Sequence, residues 1–165
     1  MARAKTKASH KKVRYKYIFA DRSHEPITKL SEVHGWRSTL GLFAFLRNKW
    51  VPVGSAELCR LSGCGGYVHT DATGLDDKFR NKGHGIHLYL ALIHAAKKIG
   101  ANRIYSSRSL NQNSGPMWCT KLREFYEVRG PKVRKMCNCK CPRCQRGWGR
   151  YYIDLTKLNL RSMPL

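Results

Sequence analysis

The chain is short of acids: 10 Asp and Glu stand against 32 Lys and Arg in 165 residues, a formal charge of +22. That imbalance exceeds what solubility requires, and its field attracts polyanions, so the expected partner is nucleic acid or a ribonucleoprotein, or else an acidic protein surface. Long apolar runs are also missing. No stretch reaches the roughly 18 apolar residues of a membrane span, which excludes a membrane-embedded role for a helix. The basic opening MARAKTKASHKK has no apolar segment behind it and so does not read as a secretory signal. It is expected to be a disordered arm over residues 1–12, its cations free to touch a polyanion. No internal repeat is present, and the remaining length suits one domain with a real core, over 13–165.

Cysteine, by contrast, is crowded. Four of the seven fall within the eight residues of CNCKCPRC. Without a secretory signal, such crowding points to thiolates gathered on a metal in a reducing, cytoplasmic compartment rather than to a disulfide framework. A structural Zn2+ is expected, held locally by Cys137, Cys139, Cys141 and Cys144, or bridged, with Cys59 and Cys64 joining Cys141 and Cys144. Cys119 reads as a small core residue. The cluster lies in a segment, 129–150, with eight Lys or Arg and no acid. Fixed by a metal, that segment is expected to form a basic hairpin displaying Arg143, Arg146, Arg150 and Trp148 to phosphates and bases.

Hydropathy patterning gives a mixed α/β chain. VRYKYIFA (13–20) reads as a strand and HEPITKLSEV (24–33) as a short helix with Pro26 in its first turn. Residues 40–61 read as two strands joined by a turn at Asn48 and Lys49, and YVHTDATGL (67–75) as another strand. The clearest helix runs from Ile86 to Ile99, with two apolar stripes that imply cover on more than one side and Gly100 as its stop. A strand over 102–107, a helix over 114–125 and a closing pair of strands around the cysteine cluster complete the expected order.

Ahead of the main helix stands FRNKGHG, in which Gly83 and Gly85 leave backbone amides bare beside Arg80 and Lys82. Bare amides at a helix N-terminus, where the helix dipole adds positive charge, suit a phosphate or pyrophosphate.

LDDKFRNKGHG followed by an amphipathic helix resembles the acetyl-coenzyme A motif of the GNAT N-acetyltransferase superfamily, R/Q-x-x-G-x-G/A after a strand, here Arg80, Gly83 and Gly85 with Leu75 closing the strand. The order of elements from about Val13 to Leu158 is similar too. The resemblance implies a mixed, mostly antiparallel sheet flanked by helices, with the cysteine-rich hairpin as an addition. It implies acetyl-CoA as cofactor, its pyrophosphate held along Arg80, Asn81, Lys82, Gly83, His84 and Gly85 and its pantetheine arm paired with Thr73, Gly74 and Leu75. His84 departs from the small or aliphatic residue usual at that place and is expected to point to solvent or touch phosphate.

Direct acetyl transfer to an amine needs a base. The family often places it on the strand before the glycines, where period-two geometry puts His69, Asp71, Thr73 and Leu75 on one face. His69, with an ordinary pKa of about 6.5, and Asp71 are therefore candidates, as is Glu57 on the preceding strand. The family's N-x-x-A-x-x-x-Y is broken here: Asn113 fits, for coenzyme contact, but Pro116 and Thr120 replace the alanine and tyrosine. Tyr126 is the nearest substitute acid. Three functions are compatible with this reading: an N-acetyltransferase acting on an amine of a nucleic-acid-associated or ribonucleoprotein substrate, a nucleic-acid-binding scaffold of the same fold with weak or no catalysis, or a toxin-like acetylation of aminoacyl-tRNA. A compact basic chain of this kind would also fit a bacteriophage product working in host cytoplasm.

Overall fold

The computed structural model describes residues 12–34, 38–61, 65–107, 110–130 and 150–165. Seven strands form one sheet: β1 (Tyr15–Ala20), β2 (Thr39–Leu46), β3 (Lys49–Arg60), β4 (Tyr67–Leu75), β5 (Arg103–Tyr105), β6 (Val128–Arg129) and β7 (Tyr152–Asp154). They lie in the order β1-β2-β3-β4-β5-β7-β6. Every neighbouring pair is antiparallel except β4 and β5. Two helices, α1 (Gly85–Lys98) and α2 (Ser114–Cys119), complete the described fold. No helix among the described residues is long and apolar enough to cross a membrane.

Alternation decides the faces. Leu40, Leu42 and Ala44 of β2, Ala56 and Leu58 of β3, and Val68 of β4 are buried beneath α1. The helix answers with Leu88, Leu90, Leu92, Ile93 and Ala96, also buried. Each buried aliphatic side chain of this size contributes roughly 1.5–3 kcal/mol over exposure. The two stripes of α1 are explained by its neighbours: it meets the sheet from β1 to β5 on one side and the turn after α2 on the other.

The β2–β3 connection is a two-residue turn at Arg47 and Asn48, both left-handed (φ 47° and 61°), because Leu46 pairs with Lys49. That is the turn geometry whose twist matches the strands; the expected turn at Asn48 and Lys49 is one residue late. The helix expected over 24–33 is instead a single 3-10 turn, Leu30–Glu32. Pro26 bridges to Ala20 and the Ile27 N–H donates to the Phe19 carbonyl at 3.0 Å, which draws this segment into extended backbone beside β1. The second helix ends at Cys119 and gives way to a 3-10 turn, Lys121–Glu124. Cys119, expected in the core, is exposed. Strands β6 and β7 pair through Val128–Ile153 and Arg129–Tyr152. The chain leaves and rejoins the sheet at one point: at Gly130 (φ 97°) a side chain would run into the Arg150 carbonyl. Cys137, Cys139, Cys141 and Cys144 lie outside the described residues, as does Cys64.

A ladder of tyrosines and histidines ties β1 to α1. The Tyr15 hydroxyl shares a hydrogen bond with His84 Nδ1 at 2.9 Å, and Tyr17 shares one with His94 Nδ1 at 2.8 Å. The Tyr15 and His87 rings stack at 3.8 Å. Burial lowers the pKa of all three histidines, and Lys82 adds to the effect at His84, His84 and Lys12 at His87, and Lys98 at His94. Because the folded values lie below the unfolded ones, the unfolded chain takes up protons first as pH falls. Stability is therefore full above the ordinary value of about 6.5 and declines below it. Thermal melts are expected to show a lower Tm at pH 5 than at pH 7.5, and His94→Asn, which keeps an acceptor for Tyr17, should flatten that decline. An equal Tm at both pH values would refute the ladder's role.

Candidate functional site

The site is built where β4 and β5 part. Their parallel pairing covers only Tyr67–Arg103, Val68–Ile104 and His69–Tyr105, while β4 runs on to Leu75. The diverging strands open a cavity of about 210 Å³ lined by Thr70, Asp71, Ala72 and Thr73 of β4, Tyr89 of α1, and Ser107, Leu110, Asn111, Ser114 and Trp118 from the far wall.

A bulge shapes the β4 wall. Ser55 pairs with Gly74 and Glu57 with Asp71, so β4 carries one extra residue between them. Ala72 takes up the slack with a left-handed backbone (φ 42°), and its N–H donates to Asp71 Oδ1 at 2.9 Å. The extra residue reverses the alternation. His69 and Asp71 therefore face away from α1, whereas Thr73 and Leu75 face it: Thr73 bonds the Tyr89 hydroxyl, and Leu75 Cδ1 lies 3.8 Å from where a Gly85 Cβ would be. The expectation that all four share a face is corrected by this one inserted residue.

Between β4 and α1 the chain makes a 3-10 turn, Asp77–Phe79, and then two left-handed residues, Asn81 (φ 58°) and Gly83 (φ 83°). This geometry brings the amides of 80–85 around to the start of α1. His84 at its N-cap makes no side-chain capping bond there; the His87 N–H donates to the His84 carbonyl at 3.1 Å, and the amides ahead of it are the ones that suit an anion. Arg80 Nε donates to the Leu75 carbonyl at 3.2 Å, and its Nη1 pairs with Asp77 Oδ1 at 3.0 Å, which ties the loop to the end of β4. Lys82 Nζ donates to the Lys78 carbonyl at 2.7 Å. Glycine is needed at 83 for its backbone angle. At 85 the nearest atoms to an added Cβ would be Met117 Cε at 3.4 Å and Leu75 Cδ1 at 3.8 Å. His84 does not point to solvent: it is buried against Tyr15 and Phe79, so only its backbone remains for a phosphate.

On the sheet face away from α1, Glu57 stands directly across from Asp71 and Cys59 across from His69. Ligand atoms of Glu57, Cys59 and Asp71 lie within 4.8 Å of one another, a set that could hold a metal ion. Burial first, and then Asp71 and Glu57, push the Cys59 thiol up to about 11 while Arg150 opposes them, so without a cation the sulfur keeps its proton. His69 Nδ1 lies 3.3 Å from the Thr70 carbonyl.

Of the sequence candidates, His69 and Glu57 flank the cavity without lining it, and Tyr126 and Asn113 lie off it. Tyr126 is packed in the core, where burial raises its hydroxyl to about 12, and it is not among the lining residues. Asn113 is exposed, and its N–H donates to Asn111 Oδ1 at 2.8 Å; Asn111 is the asparagine that reaches the cavity. The residue missed from sequence is Tyr89. It is one helical turn beyond Gly85, a spacing that places both on one side of α1, and its hydroxyl is buried at the bulge.

Residues 10–127 match the model of the acetyltransferase (GNAT) family. No curated protein matches the chain. Among solved structures, similar ones include a cAMP-binding acyltransferase from Mycobacterium smegmatis (17% identity, TM-score 0.46, covering 77% of this chain and 34% of that one). A GNAT-family acetyltransferase from Staphylococcus aureus Mu50 gives 18% identity and a TM-score of 0.40, covering 71% and 68%. N-acetylglutamate synthase from Neisseria gonorrhoeae, complexed with coenzyme A and N-acetyl-glutamate, gives 14% and 0.44, covering 70% and 25%. The chain thus spans about a third of the length of the mycobacterial protein. Its seven-stranded, mostly antiparallel sheet, its glycine turn into α1 and the family match over 118 of its residues, from 10 to 127, together show that the chain belongs to the acetyltransferase (GNAT) family.

Proposed function

We propose that the protein is an acetyl-CoA-dependent N-acetyltransferase acting on an amine of a nucleic-acid-associated or ribonucleoprotein substrate. The observation that carries this reading is the cavity between β4 and β5, which lies beside an α1 start with uncapped amides and has a carboxylate, Asp71, in its wall. These residues fit the coenzyme. The Arg80 N–H is spent on the Asp77 carbonyl, so the amides from Asn81 to Gly85 would hold its pyrophosphate, and the stretch of β4 beyond its last pairing with β5, from Thr73 to Leu75, would hold the pantetheine arm. Acetyl-CoA, when bound, supplies the acetyl group as an activated thioester.

The chain's own groups do the proton work. Asp71 accepts a proton from the acceptor ammonium, with Glu57 and His69 on the same face holding that ammonium in place by charge and hydrogen bonding. Tyr89, whose pKa burial raises and the Thr73 bond partly restores, keeps its proton at neutral pH and can donate it on the α1 side of the cavity. Trp118, fully buried and edge-on to Tyr89 at 6.1 Å, fixes that ring and excludes water. A basic scaffold without catalysis draws support from exposed Thr120, which stands where the family carries a tyrosine; Tyr89 supplies the missing hydroxyl from another helix. Calorimetry should show one acetyl-CoA bound per chain, and the absence of binding would overturn the enzyme reading.

The structural zinc is a separate part of the proposal, and its support is the sequence: four cysteines in eight residues. A native mass measurement on protein prepared under reducing conditions without chelator should show one zinc per chain. Zinc-free protein under those conditions would overturn it.

A further inference from the structure

The sheet face away from α1 carries an aromatic and cationic platform at the β1 edge. Alternation and register place Arg14, Phe45 and Trp50 in one cross-strand row and Lys16 and Phe43 in the next. The rings and cations touch: the Arg14 guanidinium lies 4.2 Å from the Phe45 ring centre, Lys16 Nζ lies 4.6 Å from that of Trp50, and Phe45 and Trp50 meet edge-on at 5.2 Å. Trp50 is 37% exposed and neighbouring Ile18 is 54% exposed. No acid occurs from 12 to 20 or from 39 to 56. Cations without counter-charges ask for an anion, and exposed rings among them ask for flat partners. A polymer with a phosphate beside every aromatic base supplies both.

We propose that this face binds a single-stranded nucleic acid, its bases stacked on Trp50, Phe45 and the Arg14 guanidinium, and its phosphates met by Lys16. The inference rests on the nucleic-acid half of the proposed function and gives it a place. The same face continues along the strands to Thr39, Glu57 and Asp71, which pair across β2, β3 and β4. From the Lys16 row to the Glu57 row is four residues, about 13 Å. A strand on the platform therefore leads its attached amine toward the carboxylates.

The test compares three labelled probes on the full-length protein by fluorescence anisotropy: an oligo(dT) of about twelve nucleotides, an abasic strand of equal length, and polyglutamate. Oligo(dT) should bind about tenfold tighter than the abasic strand, since the two carry equal charge and differ only in rings. Trp50→Ala should remove that advantage and leave abasic binding unchanged. Lys16→Gln should weaken both strands and reduce the salt slope by about 0.7. Acetyl-CoA affinity, measured alongside, should not move in either variant. Equal binding of oligo(dT) and the abasic strand by the unaltered protein would overturn the platform while leaving a base-independent polyanion site elsewhere. Polyglutamate binding as tight as oligo(dT) would overturn it in favour of an acidic protein. Binding of neither strand at low salt would sink the nucleic-acid reading with it, and acetyl-CoA binding would still stand.

Discussion

Gly85→Asp is expected to weaken acetyl-CoA binding about 100-fold, the loss of charge-assisted amide contacts together with direct repulsion of a pyrophosphate. The fold should tolerate the change. Gly85 does not have a left-handed backbone, and an added Cβ meets only the flexible end of Met117 at 3.4 Å and of Leu75 at 3.8 Å. An acid in the first turn also suits the helix dipole. Calorimetry with acetyl-CoA, paired with a thermal melt, separates the two effects. Gly83 is the poorer probe, because at φ 83° any other residue strains the loop by roughly 1–2 kcal/mol and confounds binding with folding. Undiminished affinity in a folded Gly85→Asp protein would remove the coenzyme from this loop.

Asp71→Asn should lower kcat about 100-fold or more, the usual contribution of a positioned base. Its KM for acetyl-CoA should stay nearly constant. The amide is close in shape and retains an oxygen to accept the Ala72 N–H, so the bulge persists while the proton acceptor is gone. His69→Gln should cost less than about tenfold, since His69 flanks the cavity without lining it. Release of free coenzyme thiol with a lysine-rich peptide as acceptor measures both. A full loss in His69→Gln beside an active Asp71→Asn would reassign the base.

What sequence could and could not reveal divides along the range of the forces involved. Gly83, Gly85 and the apolar stripes of α1 are local signals, and they located the glycine turn and the helix that follows it within a residue or two. The β2–β3 hairpin was legible for the same reason, though its turn shifted by one because strand register, which neighbours set together, fixes which two residues are left over. The bulge at Ala72 was not legible. Alanine gives no hint of a left-handed backbone, and only pairing with β3 forces it, yet that one residue decides which side chains of β4 face α1 and which face away. His84 went astray similarly, because its partner Tyr15 is 69 positions away. Tyr89 was within reach of helical spacing from Gly85, but nothing local marks it, because its partners Thr73 and Trp118 lie far from it in the chain.

The position of β1 at the end of the sheet bears on how the protein behaves in concentrated solution. An edge strand offers unpaired N–H and C=O groups to any passing strand, a second copy of the same chain included. Here part of that edge is covered, by Pro26 against Ala20 and by Ile27 bonded to Phe19, and the deterrent for the rest is charge, since the whole molecule carries +22. Such protection is borrowed from low ionic strength and lapses when counter-ions or a bound polyanion neutralise it. Copies gathered along one polyanion are then both discharged and close together. If the protein binds a polyanion as proposed, its self-association is expected to follow the ratio of polyanion to protein, greatest near charge balance and relieved by an excess of either.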